Sequence, residues 1–199
     1  MSQTHPSEAL LQFWLDAGPP KWYVADDDFD AQITQKFGAL WESGAKGELE
    51  SWTSHPRKSL ALIILLDQFP RNMFRQSGRA FSTDDKAKAA ACYSIKQGWD
   101  MRIDEPERQF FYLPLMHSEM LSDQDHCIRL MIERMPETGA PNVLHARVHR
   151  EVIRQFGRFP YRNEALGRET SAAEKAFLEG GGYGEIVRKF EADEKSAQK

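Results

Sequence analysis

Apolar residues recur along this chain with the spacing of amphipathic helices. The clearest helical face is formed by Phe29, Ile33, Phe37, Leu40 and Trp41. It follows an acidic stretch at 26–28, which suits the positive end of a helix dipole. Residues 60–66 are apolar on every side and follow Pro56. They therefore predict a central, buried helix with the proline at its first position.

The rest of the chain is also helical in pattern, and no strand-like alternation persists. Further helices are predicted near 7–15, 83–96, 105–120, 123–135 and 142–156, with a kink at Pro114 and a short terminal helix after the glycine cluster at 180–184. These elements favour an all-α fold of about eight to ten helices, packed mostly as antiparallel neighbours. We expect one helical domain over residues 1–190 and a disordered, solvated tail over 191–199.

Composition and charge exclude several classes of partner. Of 199 residues, 41% are hydrophobic and 28% are charged, which is typical of a globular protein. The net charge of -4 and the pI near 5.9 do not favour nucleic acid or an acidic membrane surface. The longest apolar runs, 60–66 and 110–116, are far shorter than the ~20 residues that span a bilayer. Two cysteines and no apolar signal core predict a cytoplasmic protein.

A buried apolar run ends abruptly in the polar string LLDQFPRNMF, residues 65–74. Pro70 disfavours helical dihedral angles at Phe69, so we expect one helix to end there and another to begin at Pro70. The polar residues that follow would then lie at a helix N-terminus, where backbone amides and a guanidinium favour a carboxylate or phosphate. The predicted anion site includes Asp67, Arg71 and Asn72.

A second string with the same ingredients, FPYRN at 159–163, follows another apolar helix. This string and the residue before it add Arg158, Arg162 and Asn163 to the predicted site. A structural interpretation also accounts for these residues. The arginines would then pair with acidic side chains such as Asp67 or Glu119 and hold buried turns together.

Histidines supply the candidate chemistry. His145 and His149 fall on one helical arc with apolar residues, so both are expected to point inward, as is His117. We select His117 and His149 for proton transfer, with Glu119 orienting the imidazole. Two histidines four residues apart can bind a metal ion. However, Ala146 stands where the zinc-protease motif has its glutamate, and no metal site is predicted.

No motif identifies an enzyme class or a cofactor. The chain has no GxSxG elbow, Walker phosphate loop or GxGxxG. The sequence GGGYG follows a helix instead of opening one after a strand. Whether the protein is an enzyme, and which cofactor it would use, is therefore left open by the sequence.

Three separated segments carry a family resemblance. LALIILLDQFPRNMFR, FYLPLMHSE and HREVIRQFGRFPYRN, in this order, resemble the motifs of the bacterial family called domain of unknown function 924. The resemblance extends from about Leu10 to Phe177. It implies a single all-helical domain of the tetratricopeptide-like class, without an assigned activity. The usual tetratricopeptide consensus is not visible, so that likeness would be one of architecture.

The motifs of this family coincide with the site predicted from helix ends and buried faces. Position by position they fall on Asp67, Gln68, Phe69, Pro70, Arg71, Asn72, His117, Ser118, Glu119, His149, Gly157, Arg158, Phe159, Pro160, Arg162 and Asn163. One position departs from the family, whose members commonly carry histidine where this chain has Tyr161. A base or metal ligand at that position would be missing here.

The leading hypothesis is a partly buried pocket that binds a small anionic molecule, such as a phosphorylated metabolite or a carboxylate. The proposed ligand-binding residues are Asp67, Arg71, Asn72, Arg158, Arg162 and Asn163, and the proposed catalytic residues are His117, Glu119 and His149. The alternative is an interaction module, in which stacked helices present an open groove to a peptide or a partner protein.

Overall fold

The computed structural model of the protein describes residues 5–197, and these residues form helices without any strand. The all-α prediction is confirmed. The α-helices are α1 (Pro6–Ala17), α2 (Pro19–Trp22), α3 (Asp27–Lys46), α4 (Pro56–Ile63), α5 (Phe69–Met73), α6 (Asp84–Lys96), α7 (Leu113–Met116), α8 (Leu121–Arg134), α9 (Ala140–Phe156), α10 (Ala172–Glu179) and α11 (Gly182–Ala197). A π-helical turn spans Ile64–Gln68, and short 3-10 helices span Glu50–Ser54, Gly78–Phe81, Asp100–Arg102, Glu107–Phe111 and Pro160–Arg162.

The chain divides into two compact units, unit 1 at Met1–Pro114 and unit 2 at Leu115–Lys199. A single domain over residues 1–190 and a tetratricopeptide-like arrangement stay predictions. The disordered tail expected over 191–199 also stays a prediction. α11 extends through Ala197 with exposed side chains at 191–196, and positions 198–199 lie outside the described residues.

In unit 1, α4 contacts α1 and α6, and α5 contacts α3. Every residue of the apolar run 60–66 is buried, so the prediction of a central helix is confirmed. The predicted face of α3 also packs inward. Asp26 caps this helix through the N–H of Phe29, 3.0 Å away, and Gly47 ends it in the left-handed region with a φ of 88°.

The expected helix break at Phe69 is wrong, because Phe69 has helical dihedral angles of -59° and -40°. Pro70 has no N–H for the carbonyl four residues earlier, that of Leu66. The chain stays helical by widening into a π turn, in which the Phe69 N–H reaches the Ile64 carbonyl. The buried hydroxyl of Thr83 donates to the Leu66 carbonyl at 2.6 Å and replaces the missing donor.

The single kinked helix predicted for 105–120 is also wrong. A 3-10 helix at Glu107–Phe111 is followed by the short α7, in which Pro114 is the second residue. Proline is tolerated in a first turn, where no intrahelical donor is required. The two proline-containing stretches therefore differ, since one continues a helix and the other lies near the start of one.

Unit 2 is built around α9, which contacts α8 and α11. Its buried core contains Val148, Val152, Ile153, Phe159 and Ile186. Gly157 ends α9 with a φ of 69°, and its N–H bonds to the carbonyl of Ile153 at 2.8 Å. This sharp end turns the chain back over α9 and brings residues 158–163 near the histidines of that helix.

Within residues 5–197, every helix is too short or too polar to cross a lipid bilayer. Cys92 is exposed and Cys127 is buried, and they form no disulfide with each other.

Candidate functional site

The predicted site residues are divided between the two units. Asp67, Arg71 and Asn72 lie in unit 1, whereas His117, Glu119, His149, Arg158, Arg162 and Asn163 lie in unit 2. Their convergence in one pocket stays a prediction, so the two groups are described separately.

In unit 1, Arg71 is held by two aspartates. Its Nη1 and Nη2 donate to the two carboxylate oxygens of Asp84 at 2.9 and 3.0 Å. Its Nη1 also lies 3.3 Å from Oδ1 of Asp67 and donates to the backbone carbonyl of that residue. The Asp67 side chain is only 1% exposed and accepts a further bond from Gln68. These contacts satisfy a buried charge, as the structural interpretation requires.

Asn72 belongs to the same network of paired groups. Its Nδ2 donates to Asp30 at 2.7 Å, and Arg75 binds the same carboxylate. Because the backbone passes from the π turn into α5 without leaving the helical region, the predicted helix N-terminus is absent. The anion-binding geometry expected at 70–72 is therefore not formed by the backbone.

In unit 2, Arg158 anchors the segment between α9 and α10. Its Nε and Nη2 donate to Glu174 at 2.6 and 2.8 Å, and Nη2 also reaches the carbonyl of Glu169. Glu174 completes a capping box with Ser171 at the start of α10. Hydrogen bonds from Arg158, and then from Ser171, hold the pKa of Glu174 well below its ordinary value. Arg158 thus stabilises a turn.

Glu119 contacts Arg168 and the backbone of Phe159, whereas the sequence analysis expected it to orient an imidazole. Its carboxylate accepts two bonds from Arg168, at 2.9 and 2.8 Å, and one from the Phe159 N–H at 2.9 Å. Burial alone would raise the pKa of Glu119, but these hydrogen bonds lower it below its ordinary value. Glu119 therefore fixes the start of the 159–162 turn.

His149 is half-buried on α9, and its Nδ1 lies 2.8 Å from the carbonyl oxygen of His145. A carbonyl oxygen only accepts, so Nδ1 carries the hydrogen and Nε2 has a lone pair. Among the described residues, His149 makes its hydrogen bonds through Nδ1. Its ring centre lies 6.4 Å from that of His117 and 5.4 Å from that of Phe159.

Burial lowers the pKa of His149 from 6.5 to about 3. The bond to the His145 carbonyl opposes this effect, whereas the nearby charges of His117 and Arg162 add to it. The imidazole is consequently neutral at pH 7. The site therefore presents an uncharged nitrogen acceptor at Nε2.

Arg162 places a buried cation in this part of unit 2. The residue is 7% exposed, and its Cζ lies 4.5 Å from the ring centre of Phe159, the same ring that contacts His149. Asn163 is 1% exposed, and its Nδ2 donates to Thr170 at 3.3 Å. The buried Oδ1 of Asn163 makes no hydrogen bond within the described part of the chain. Arg162 and Asn163 are thus buried in unit 2 and His149 is half-buried there, and a ligand pocket formed by them stays a prediction.

Two contacts of this group were not expected from the sequence. Tyr183 places its hydroxyl 2.7 Å from Nδ1 of His145 and 3.4 Å from Nδ1 of His149. His145 is exposed, not inward as expected, because α9 directs Val148 and Val152 to the core instead. Arg168, the partner of Glu119, carried no sequence signal. The only hint of Tyr183 was its position inside the glycine cluster.

The arrangement combines a buried guanidinium with an uncharged imidazole nitrogen that can accept a hydrogen bond. Within residues 5–197, no three His, Cys, Asp or Glu side chains are grouped so that they could hold a metal ion. A separate cavity of about 340 Å³ lies in unit 1, against Leu49, Leu62, Leu66 and Tyr93, with Glu50 and Lys86 also lining it. None of the predicted site residues lines that cavity.

Comparisons with known proteins agree on the fold and name no activity. A family model described as "Bacterial protein of unknown function (DUF924)" matches residues 10–182. A solved structure of a protein of unknown function from Agrobacterium tumefaciens is similar, with 38% sequence identity and a TM-score of 0.82. The match covers 87% of this chain and 97% of that one. No similar protein was found among curated proteins.

Proposed function

The chain belongs to the bacterial DUF924 family, and we propose that it binds a small anionic ligand at His149 and Arg162 of unit 2. The ligand is a phosphate or carboxylate compound that also carries an O–H group. Its negative oxygen binds the guanidinium of Arg162, and its hydroxyl donates to Nε2 of His149. His117 and the amide of Asn163 complete the polar surroundings.

One observation carries this proposal, namely the hydrogen bond between Nδ1 of His149 and the His145 carbonyl. It fixes the proton on Nδ1 and leaves Nε2 as an acceptor beside a buried cation. An ammonium ligand would be repelled by Arg162, and an anion without a hydroxyl would leave Nε2 unsatisfied. An anion with a donor satisfies both groups.

Our proposal assigns ligand contacts to fewer residues than the sequence hypothesis did. Arg71, paired with Asp84, and Arg158, paired with Glu174, support the fold in this proposal. Glu119 supports the turn that presents Arg162 instead of orienting an imidazole. Asp67 and Asn72 belong to the paired network of unit 1.

The proposal extends to a catalytic step at the same site. In the unliganded protein, a pKa of about 3 makes His149 a weak base. A bound anion would raise this pKa, since a nearby negative charge favours the imidazolium. His149 could then take the proton of the ligand hydroxyl. We place this chemistry in the cytoplasm, as the two cysteines without a disulfide suggest.

The test is an NMR titration of the histidine imidazoles with inorganic phosphate, with sulfate as the matched control. Phosphate has an anionic oxygen and an O–H throughout the neutral pH range, whereas sulfate has no O–H there. We expect phosphate to shift Nε2 of His149 and to outcompete sulfate.

Variants test whether His149 and Arg162 are the groups that bind phosphate. His149→Gln and Arg162→Lys should each weaken phosphate binding by about tenfold, the value of one hydrogen bond to a charged group. His126→Gln and Arg154→Lys are the matched controls, because these side chains lie elsewhere in unit 2, and Arg154 pairs with Glu151. Equal binding of phosphate and sulfate, or unchanged binding by both site variants, would contradict the proposal.

The alternative of an interaction module has one supporting observation. Met120 and Leu121 are 57% and 39% exposed and directly follow Glu119. A peptide with apolar side chains could pack on them. Under this alternative, Met120→Ser would abolish binding of the partner peptide and leave the phosphate titration unchanged.

A further inference from the structure

Tyr183 contacts the histidines of α9 from another helix. It is the second residue of α11, and its ring centre lies 5.0 Å from that of His149 and 6.0 Å from that of His145. The ring packs edge-on against His149 and parallel to His145. The hydroxyl reaches Nδ1 of both imidazoles, at 3.4 and 2.7 Å.

One arrangement of hydrogens links all three groups. Nδ1 of His149 carries a hydrogen because it bonds to the His145 carbonyl. Toward that nitrogen, the Tyr183 oxygen can only accept. When its own hydrogen points to Nδ1 of His145, at 2.7 Å, His145 carries its hydrogen on Nε2. In this arrangement a directed chain of contacts runs from His149 through Tyr183 to His145.

We propose that Tyr183 is a positioning residue for His149. Its ring shields the imidazole from water, and its hydroxyl joins His145 and His149 into one hydrogen-bonded group. This inference rests on the proposed function, in which Nε2 of His149 receives the ligand hydroxyl. A fixed ring keeps Nε2 toward the ligand and keeps the imidazole neutral.

Two glycines with positive φ lie at the start of the helix that carries Tyr183. Gly181 and Gly182 have φ values of 96° and 53°, a region in which other residues are strained. The family match ends at residue 182, so nearly all of α11 lies beyond the matched residues. Ile186, Val187 and Phe190 hold α11 on the core of unit 2. The support for His149 therefore comes from a segment outside the family match.

Within residues 5–197, the titratable and charged groups that face His149 come from four segments of unit 2. His145 lies on its own helix, His117 follows α7, Arg162 lies in the 160–162 turn, and Tyr183 lies on α11. None of these four side chains is a carboxylate. Glu191 of α11 acts on His145. A change in the protonation of His149 on mutation of Tyr183 would therefore report water access, not a lost ion pair.

The test follows the imidazole nitrogens of His145 and His149 by NMR, from pH 4 to 8, in the full chain. Tyr183→Phe keeps the ring and should leave the proton affinity of His149 unchanged, while His145 loses its single tautomer. Tyr183→Ala removes the ring and should raise the proton affinity of His149 by about tenfold, one pKa unit. Phe190→Leu loosens the packing of α11 without touching either histidine and should change neither.

The NMR titration of His145 and His149 does not require phosphate to bind. If the wild type fails to bind phosphate, the ligand proposal falls, and the histidine titration still decides the role of Tyr183. An unchanged tautomer of His145 in Tyr183→Phe would overturn the role of the hydroxyl. If Tyr183→Ala and Phe190→Leu raise the proton affinity of His149 equally, Tyr183 serves only the packing of α11, and the inference is overturned.

Discussion

The neutral state of His149 makes unit 2 sensitive to acid. The pKa of this imidazole is about 3 in the folded protein, against 6.5 for an ordinary solvated histidine such as that of an unfolded chain. At a pH between these two values, the unfolded chain binds the proton more readily than the folded protein does. The free energy of unfolding therefore falls as the pH drops below 6.5, and it is insensitive to this group at pH 7.5.

The size of the effect follows from the two pKa values. At pH 5 the unfolded imidazole is protonated and the folded one is not, which corresponds to a loss of about 2 kcal/mol relative to pH 7.5. Solvent reaches part of the half-buried ring and screens some of this loss, so we expect about 1–2 kcal/mol. In His149→Gln this pH-dependent contribution is absent. The stability difference between wild type and variant should narrow by that amount on acidification.

Urea unfolding can be observed separately for each unit. All five tryptophans lie in unit 1, at positions 14, 22, 41, 52 and 99, so their fluorescence reports on that unit. Backbone amide signals of α9 report on unit 2. Wild type and His149→Gln should be compared at pH 7.5 and 5.0. Parallel pH dependence of wild type and His149→Gln in the α9 signals would refute the reasoning.

Three further predictions concern contacts that hold the fold, one in unit 1 and two in unit 2. Thr83→Val leaves the buried carbonyl of Leu66 without a donor and should lower the free energy of unfolding by about 1–3 kcal/mol in urea titrations; an unchanged midpoint would disprove this role. Glu119→Gln breaks the two-bond pair with Arg168 and should speed amide exchange at 159–162, with α8 unaffected as internal reference. Ser171→Ala removes the cap of α10 and should cost about 1 kcal/mol, measured by amide exchange in that helix; equal exchange would contradict it.

The helical class and most helix positions could be predicted from the sequence, because they depend on local pattern. In α3 the apolar spacing, the Asp26 cap and the glycine at position 47 all indicate the same helix. Local rules failed at Pro70. Whether a proline ends a helix depends on a donor for the freed carbonyl, and here the donor is Thr83, distant in sequence and brought close by folding.

Sequence reasoning identified which residues lie in the candidate site better than it identified which residues pair with one another. The histidine at 149 and the arginine at 162 do lie in one part of unit 2. The partners of Arg71, Arg158 and Glu119 could not be chosen from sequence, because each charged residue has many possible partners and only tertiary structure selects one. Tyr183 was missed for a related reason, since glycine-rich segments rarely carry a periodic signal.

A neutron crystal structure grown with deuterated phosphate near pH 7 would test the central claim most directly, because it locates the hydrogen isotopes on His149. The account predicts deuterium on Nδ1 and none on Nε2. A phosphate O–D should point to Nε2 at about 2.8 Å, with a second phosphate oxygen on Arg162. Deuterium on Nε2, or phosphate bound away from both groups, would contradict the account.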